Sequence, residues 1–473
     1  MAKRPGQIRR VRLPLWAGWL SWMLTVVVLA AAVGFAVGPL ARAQGWTTDG
    51  GSPTVDPQII ADIHSDPSGN GVIGAASEPN YHGVSADRIA DVIAATQPTL
   101  AGSYGGAIAD LDGAGLSYEF SAHTPLTPAS TLKVMTATAI TDALGADHSF
   151  TTSVVATSAD AIVLVGGGDP LLASTPTSYS GSSAIALPTT ADLAARTAAA
   201  LQAQGISRVS LGYDDSLFSG PVWHADWPEG DRQFVAPISA LVIDEGAAVP
   251  GTESGSQVTA GIFADQLRAA GIDVTGDVVA ASATGGSELA KVASAPLGLL
   301  VQEMLTHSDN FIAEMLLRQL GIAKGQAGSF EGGAAALTAS LTDLGLWDDG
   351  QLIVDGSGLS VNNRITPAAL VKALQLSAAR PELSAVLAGL PVAAATGTLG
   401  TRFADDQSAA ARGLVRAKSG SLDGVSSLAG YTPSSDGALI AFAVIGNGLP
   451  TDQDIRPWFD HVAAALAGCD CAG

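Results

Sequence analysis

Cysteine is almost absent from this sequence. The 473 residues include two, Cys469 and Cys471, both near the C-terminus. Two thiols are too few for a structural zinc site, and a disulfide across one intervening residue would be strained. We therefore leave the redox state of this tail open and expect the body to be held by its hydrophobic cores, which a chain of this length can build.

Basic residues are also scarce. Lys and Arg number 23 against 44 Asp and Glu, which gives a formal net charge of -21. Several of the basic residues lie within residues 1–43, where no acidic residue occurs, so the remainder of the chain is more acidic still. Because an acidic surface repels phosphate backbones, this composition argues against nucleic acid as a partner.

Charged side chains are missing altogether between Arg12 and Arg42. The run is long enough to span a bilayer, and the basic residues before it place the rest of the chain outside the cytoplasm. The same basic residues also argue that the uncharged run is not a helix buried in a protein core. Ala41-Arg42-Ala43 fits a signal-peptidase site. We predict a signal peptide or membrane anchor over 1–43 and an extracytoplasmic location for the remainder.

Familiar catalytic motifs are lacking too. The sequence has no His-Glu-x-x-His, which a zinc hydrolase helix needs, and no Gly-x-Ser-x-Gly, the mark of an ordinary esterase triad. Gly166-Gly167-Gly168-Asp169 lacks the Gly-Lys-Ser/Thr ending of a phosphate loop. His307 is the one histidine beside the motifs described below, and we interpret it as structural. We predict neither a metal nor a cofactor.

The remaining patterns predict a mixed α and β (α+β) body. Alternating runs at 105–111 and 116–120 indicate a hairpin, and an apolar helix follows up to Leu144. Three further strands are expected at 414–418, 426–431 and 438–445, and together they indicate an antiparallel sheet with helices on both faces. The predicted domains are a flexible linker at 44–85, a split catalytic domain at 86–150 and 290–473, and an inserted domain at 151–289.

The first chemical motif is Ser130-x-x-Lys133, at the start of the apolar helix. Residues three apart lie on one helix face, so the lysine amine can reach the serine hydroxyl. Serine is a weak nucleophile until a base accepts its proton, and a neutral lysine can do so. The motif is common by chance, and its position after a hairpin in an exported chain is what favours function.

The second motif is Ser308-Asp309-Asn310, which precedes another apolar helix. Such a tripeptide is often only a helix N-cap. In a catalytic setting, the Ser308 hydroxyl can relay protons and the Asn310 amide can hold a substrate carbonyl through its two donors.

The third motif is Lys418-Ser419-Gly420-Ser421, on a predicted strand. The Lys418 charge can hold a terminal carboxylate. Gly420 leaves room for a substrate against the strand. The backbone N–H groups of Ser421 and Ser130 can form an oxyanion hole.

The order of the three motifs is the signature of penicillin-binding proteins and related lactamases. The chain resembles the D-alanyl-D-alanine carboxypeptidase/endopeptidase family, the class C low-molecular-mass penicillin-binding proteins. Further segments carry the resemblance: Val165 to Pro170, Ser294 to Leu297, Asp355 to Ser360, Arg364 to Pro367 and Gly397 to Leu399.

This resemblance implies a penicillin-binding-protein/serine β-lactamase-like transpeptidase fold. It implies that Ser130 is acylated with Lys133 as base and Ser308 as relay. It also implies Asn310 as substrate clamp and Lys418 with Ser419 as carboxylate site. The expected partners are peptidoglycan peptides ending in D-Ala-D-Ala and β-lactam antibiotics.

Some positions depart from the family pattern. Ser419 and Ser421 stand where the family usually has threonine, and Thr396 stands where an acidic residue is expected. The stretch between Ser130 and Ser308 is shorter than a full two-domain insertion, so we expect a reduced one. Two alternatives stay open: a serine β-lactamase, against which the long path between the first two motifs argues, and a non-catalytic wall-binding protein.

Overall fold

The computed structural model describes residues 83–96, 101–176, 187–247 and 254–472. These described residues belong to one compact unit. The predicted signal peptide or anchor over 1–43, and most of the predicted linker at 44–85, lie outside the described residues. Among the helices in the described ranges, none is long and apolar enough to cross a membrane.

Ten strands run through the described residues. They are β1 (Ser103–Asp110), β2 (Tyr118–Phe120), β3 (Thr151–Ala156), β4 (Ala161–Val165), β5 (Arg208–Asp214), β6 (Asp273–Ala280), β7 (Ser287–Ala293), β8 (Arg416–Leu422), β9 (Val425–Pro433) and β10 (Leu439–Asn447).

Ten α-helices accompany these strands in the same part of the chain. They are α1 (Ala86–Ala95), α2 (Leu132–Leu144), α3 (Thr190–Ala203), α4 (Gly255–Ala269), α5 (Leu297–His307), α6 (Asn310–Ala323), α7 (Phe330–Asp343), α8 (Pro367–Ala379), α9 (Ser384–Ala388) and α10 (Arg456–Ala467).

The first sheet is antiparallel and has the strand order β2-β1-β10-β9-β8. The predicted hairpin is confirmed as β1 and β2, and the three predicted C-terminal strands are confirmed as β8, β9 and β10 with shifted bounds. The bounds shift because pairing partners, which lie far away in sequence, decide where each strand ends.

Strand β10 shows why this sheet carries helices on both faces. Its alternate residues Ala441, Ala443 and Ile445 belong to a core shared with α2, α5, α6 and α8. The intervening Ile440, Phe442 and Val444 pack into a second core with α1 and α10. Since side chains alternate across a strand, one fully apolar strand serves two cores. The predicted fold class is confirmed.

A second sheet is built from residues between Thr151 and Ala293. Its order is β6-β5-β4-β3-β7, with β4, β5 and β6 parallel and β3 antiparallel to both of its neighbours. Helices α3 and α4 cover it and share a separate core with it. The division into a split catalytic domain and an inserted domain stays a prediction.

The cysteine tail, whose redox state the sequence left open, is oxidised in the structure. Cys469 and Cys471 form a disulfide, and Cys471 is fully buried in the second core. The Cys471 carbonyl accepts a 2.8 Å hydrogen bond from the Ser85 nitrogen, and the Cys469 carbonyl accepts one of 3.0 Å from the Ser435 nitrogen. The tail therefore links the start of the described body to the β9–β10 turn.

Candidate active site

Ser130 does not lie on the α-helix that the spacing predicted. It occupies a 3-10 turn, Ala129–Thr131, that leads into α2. Ala129 has a φ of 48°, in the left-handed region that costs energy for a residue with a Cβ and that clusters at functional sites. Lys133 belongs to the first turn of α2, and its Nζ lies 3.0 Å from the Ser130 Oγ. The predicted contact is present although the helix begins later.

Lys133 is the centre of the site. Its side chain is wholly buried, and its Nζ donates hydrogen bonds of 2.7 Å to the Asn310 Oδ1 and 2.8 Å to the Ser357 carbonyl. Burial lowers the pKa of Lys133 to about 8, an effect that the charges of Glu314, Asp309 and Asp355 partly oppose. A usable fraction of this amine is neutral near physiological pH, as a general base requires.

The second motif forms the junction between α5 and α6. Ser308 caps the end of α5 in the left-handed region, with φ 61°. Asp309 is the N-cap of α6, and its Oδ1 accepts a 2.8 Å hydrogen bond from the Ile312 nitrogen. The tripeptide therefore caps the helix through Asp309 and also places Asn310 beside Lys133.

The Asn310 side chain makes hydrogen bonds within the protein that the sequence did not indicate. Its Oδ1 accepts the bond from Lys133, and its Nδ2 donates to the Phe234 carbonyl at 3.0 Å. One of the two amide donors expected to hold a substrate is therefore occupied. Among the described residues, no hydrogen bond joins the Ser308 hydroxyl to Ser130 or to Lys133.

Strand β8 brings the third motif against the first. A Cβ at Gly420 would lie 2.9 Å from the Ser130 nitrogen and 2.8 Å from the Pro128 carbonyl oxygen, closer than real Cβ atoms approach. Only glycine lets the strand pass this close to the nucleophile turn. Ser421, the next residue, pairs with Ser426 on β9. The structure therefore brings Gly420 and Ser421 to the turn that carries Ser130.

Lys418 is fully buried on this strand and donates a 2.8 Å hydrogen bond from Nζ to the Ser419 carbonyl. The Ser419 Oγ donates to the Thr398 Oγ1 at 3.0 Å. Burial holds the pKa of Lys418 well below its usual value, and the charges of Lys133 and Arg402 lower it further.

Sequence reasoning gave no role to two buried carboxylates, Glu314 and Asp355, that hold the loop whose Ser357 carbonyl binds Lys133. The buried Glu314 carboxylate accepts a 2.7 Å hydrogen bond from the Ser357 nitrogen, and so holds the loop whose carbonyl binds Lys133. Asp355 accepts 2.9 Å and 2.6 Å bonds from the Gly358 and Ser360 nitrogens. Glu314 is the one charged residue within the apolar stretch from Phe311 to Leu317, which was the available signal.

A cavity of about 580 Å³ adjoins the second motif, and Ser308, Asp309, Asn310 and Glu245 line it. Burial and neighbouring carboxylates raise the pKa of Glu245 to about 8.

His307 contacts Glu303, with 3.4 Å between Nε2 and Oε1. No group of His, Cys, Asp and Glu that could hold a metal ion occurs in the described ranges.

The model of the D-Ala-D-Ala carboxypeptidase 3 (S13) family matches residues 86–260 and 252–466. The chain belongs to this family. It is therefore a serine-type D-Ala-D-Ala carboxypeptidase, a hydrolase, and the resemblance stated from the motifs is confirmed. The two matched ranges together contain all three motifs.

Relatives of this S13 carboxypeptidase support the assignment. The chain is 35% identical over 382 residues to the carboxypeptidase DacB of Mycolicibacterium smegmatis, covering 77% of this chain and 80% of that protein. It is 34% identical over 418 residues to a carboxypeptidase of Mycobacterium tuberculosis, covering 85% and 87%.

A solved structure, penicillin-binding protein 4 (dacB) from Haemophilus influenzae, shares the fold. Its TM-score is 0.66 at 22% identity, covering 80% of this chain and 99% of that one. Another structure of the same protein contains a β-lactam. The predicted penicillin-binding-protein-like fold is confirmed by this likeness.

Proposed function

We propose that this S13 carboxypeptidase cleaves peptidoglycan stem peptides ending in D-Ala-D-Ala through an acyl-enzyme on Ser130. The observation that carries the proposal is the contact between a buried Lys133 amine and the Ser130 hydroxyl, at 3.0 Å. A serine within reach of a base of lowered pKa is an activated nucleophile.

In the acylation step, neutral Lys133 accepts the Ser130 proton while Oγ attacks the carbonyl carbon of the penultimate D-alanine. The backbone N–H groups of Ser130 and Ser421 receive the developing oxyanion. The C–N bond then breaks, and the departing D-alanine amine takes the proton that Lys133 accepted, relayed by the Ser308 hydroxyl, so that Lys133 is neutral again. Water hydrolyses the ester by the reverse proton path, which restores Ser130.

Three further residues orient the substrate in this proposal. Asn310 donates from its remaining amide N–H to a substrate carbonyl. Lys418 and Ser419 receive the terminal carboxylate, and that negative charge raises the pKa of Lys418 again as it binds. Gly420 supports the proposal because its lack of a side chain keeps β8 beside Ser130.

The same Ser130 nucleophile opens β-lactams, since their ring amide occupies the position of the scissile bond. A serine β-lactamase would share these motifs and differ in releasing the adduct quickly. A non-catalytic wall protein would form no adduct. Cleavage of cross-links, the endopeptidase reaction, uses the same acyl chemistry with a larger leaving group.

The family acts on peptidoglycan, which lies outside the cytoplasm. We propose that this chain is secreted or held at the outer face of the cytoplasmic membrane by residues 1–43. The acidic composition supports a partner other than nucleic acid.

The decisive experiment uses two separate incubations of the exported protein. One contains purified cross-linked peptidoglycan and the other contains labelled penicillin, and the products of each are analysed by mass. Loss of single D-alanine residues supports the carboxypeptidase, and separated cross-links support the endopeptidase. A penicillin adduct lasting hours supports a penicillin-binding protein, whereas one lasting seconds supports the lactamase. The absence of both products and adduct would refute the enzymatic proposal.

A further inference from the structure

A second cavity lies beside the one that adjoins Ser308. It has a volume of about 680 Å³ and shares Trp223 and Pro237 with its neighbour. Its apolar walls include Phe218, Val222 and Ile238. A largely apolar cavity with a few polar groups is the usual form of a small-molecule site.

One charged wall of this cavity is Arg318, which is 1% exposed. Its Nη1 and Nη2 donate to the Ser219 and Pro221 carbonyls at 3.0 Å and 2.6 Å. Its Nε is buried and has no hydrogen-bond partner, and none of the ion pairs within the described residues includes Arg318. The guanidinium stacks over the Phe330 ring at 4.2 Å, and the charges of Glu314 and Glu331 act on it from a distance. A buried guanidinium normally also has an anion in direct contact, because an unpaired buried charge is costly.

The other charged wall is Asp215. Its Oδ2 accepts a 2.5 Å hydrogen bond from the Ser256 Oγ, which lies 2.6 Å from the Ser239 Oγ. Both serines are buried, and neither of these two hydrogen bonds involves a basic side chain. Asp215 is thus held in place by neutral hydroxyls, and none of the ion pairs in the described ranges neutralises it.

We propose that this cavity is an accessory binding site for a zwitterionic amino acid. The ligand carboxylate pairs with Arg318 and its ammonium with Asp215. A simple anion would be repelled by Asp215 and a simple cation by Arg318, whereas a ligand with both charges satisfies both walls. The apolar walls suit a small apolar side chain.

The site is separate from the catalytic groups. Arg318 and Asn310 lie on the same helix, α6, eight residues apart, which corresponds to about 12 Å along the axis. The D-alanine released by the proposed reaction is itself a zwitterionic amino acid. Only this link between the cavity and the reaction product rests on the proposed function. Trp223 and Pro237 line both this cavity and the one that adjoins Ser308, so the two cavities are neighbours.

The test titrates the full chain carrying Ser130→Ala with D-alanine, by calorimetry and by ligand-observed NMR. We expect saturable binding, at least tenfold weaker for N-acetyl-D-alanine, which lacks the ammonium, and for D-alanine methyl ester, which lacks the carboxylate. Because turnover is not needed, a failed titration would leave the catalytic proposal standing.

The variants locate the ligand. Asp215→Asn keeps an acceptor for Ser256 and should weaken D-alanine binding at least tenfold, whereas Asp265→Asn, at an exposed position on α4, should leave it unchanged. Arg318→Lys should also weaken binding; should this variant fail to fold, the Asp215→Asn and methyl ester results decide.

Two results would overturn the proposal. One is the absence of saturable binding to Ser130→Ala. The other is binding that survives Asp215→Asn and disappears in Lys418→Ala, which would place the ligand in the catalytic cleft. A preference for L-alanine over D-alanine would retain the zwitterion site and overturn its link to the released product.

Discussion

The carbonyl oxygen of Ser357 accepts a 2.8 Å hydrogen bond from the Lys133 Nζ. The nitrogen of the same residue donates to Glu314 at 2.7 Å. One peptide segment therefore connects the proposed base to a buried carboxylate that touches neither the nucleophile nor, in our proposal, the substrate. Glu314 acts on Lys133 through position and through charge.

Glu314→Gln should shift the pH dependence of Ser130 acylation. The negative charge of Glu314 raises the pKa of Lys133. A neutral glutamine should therefore lower that pKa and move the pH at which the acylation rate is half-maximal to a lower value. Acylation by a fluorescent penicillin measured from pH 6 to 10 gives this midpoint. Glu331→Gln, which changes a glutamate on α7, serves as the matched control. A lower rate with an unmoved midpoint would mean that Glu314 has only a structural role.

Ser130→Ala should abolish peptide cleavage and covalent labelling by penicillin, since it removes the oxygen that forms the acyl bond. The substitution deletes one hydroxyl at a half-buried position, so the thermal unfolding midpoint should stay close to that of wild type. Intact-protein mass spectrometry detects the adduct. A penicillin adduct on this variant would show that the nucleophile lies elsewhere.

Lys133→Arg should nearly eliminate acylation, because guanidinium keeps its proton throughout the accessible pH range. In wild type the rate should rise with pH through a single ionisation near the Lys133 pKa of about 8, as the neutral amine becomes populated. Stopped-flow acylation across pH 6 to 10 measures both proteins. Rates within tenfold of wild type would exclude Lys133 as the base and direct attention to Ser308 with Lys418.

Lys418→Ala should weaken the reaction without removing the nucleophile. A charged hydrogen bond contributes roughly 1.5 to 3 kcal/mol, which corresponds to a loss of about 10- to 150-fold in kcat/KM. A substrate whose terminal carboxylate is amidated provides the control, since it should lose far less. An unchanged kcat/KM on the carboxylate-bearing substrate would contradict the assigned role.

Asp169→Asn should change how stability depends on pH. Burial raises the pKa of Asp169 from 3.8 to about 7, so its folded form favours the proton. The stability from this group is complete below pH 3.8 and is lost as the pH rises through about 7. Asparagine does not titrate and can still accept the 2.9 Å bond from the Leu171 nitrogen.

The advantage of Asp169→Asn over wild type should therefore grow by roughly 1 to 4 kcal/mol between pH 4 and pH 8, at about 1.4 kcal/mol for each pKa unit. Urea unfolding of both proteins at several pH values measures it. All other groups titrate in both proteins and cancel in the difference. A difference that does not vary with pH would contradict the prediction.

The sequence by itself determined the local features. The hairpin and the C-terminal strands follow from alternation, which acts over a few residues. The three-residue spacing also predicted the contact of Lys133 with Ser130, although Ser130 lies on a 3-10 turn and not on the α-helix. Gly420 was interpreted from the sequence as leaving room for a substrate, which stays a prediction, and only the structure shows that its missing side chain lets β8 pass beside the Ser130 turn. The order of the three motifs was enough to indicate the family.

Tertiary structure alone decided the electrostatics. Lys133 and Asn310 are 177 residues apart in sequence, and no local pattern reveals that they meet or that Phe234 occupies one Asn310 donor. The pKa of Lys133 depends on complete burial and on three carboxylates from α6 and two neighbouring loops, which only the assembled core brings together. Burial and long-range charge are properties of the packed chain, so the sequence shows which groups can react and the fold sets their protonation.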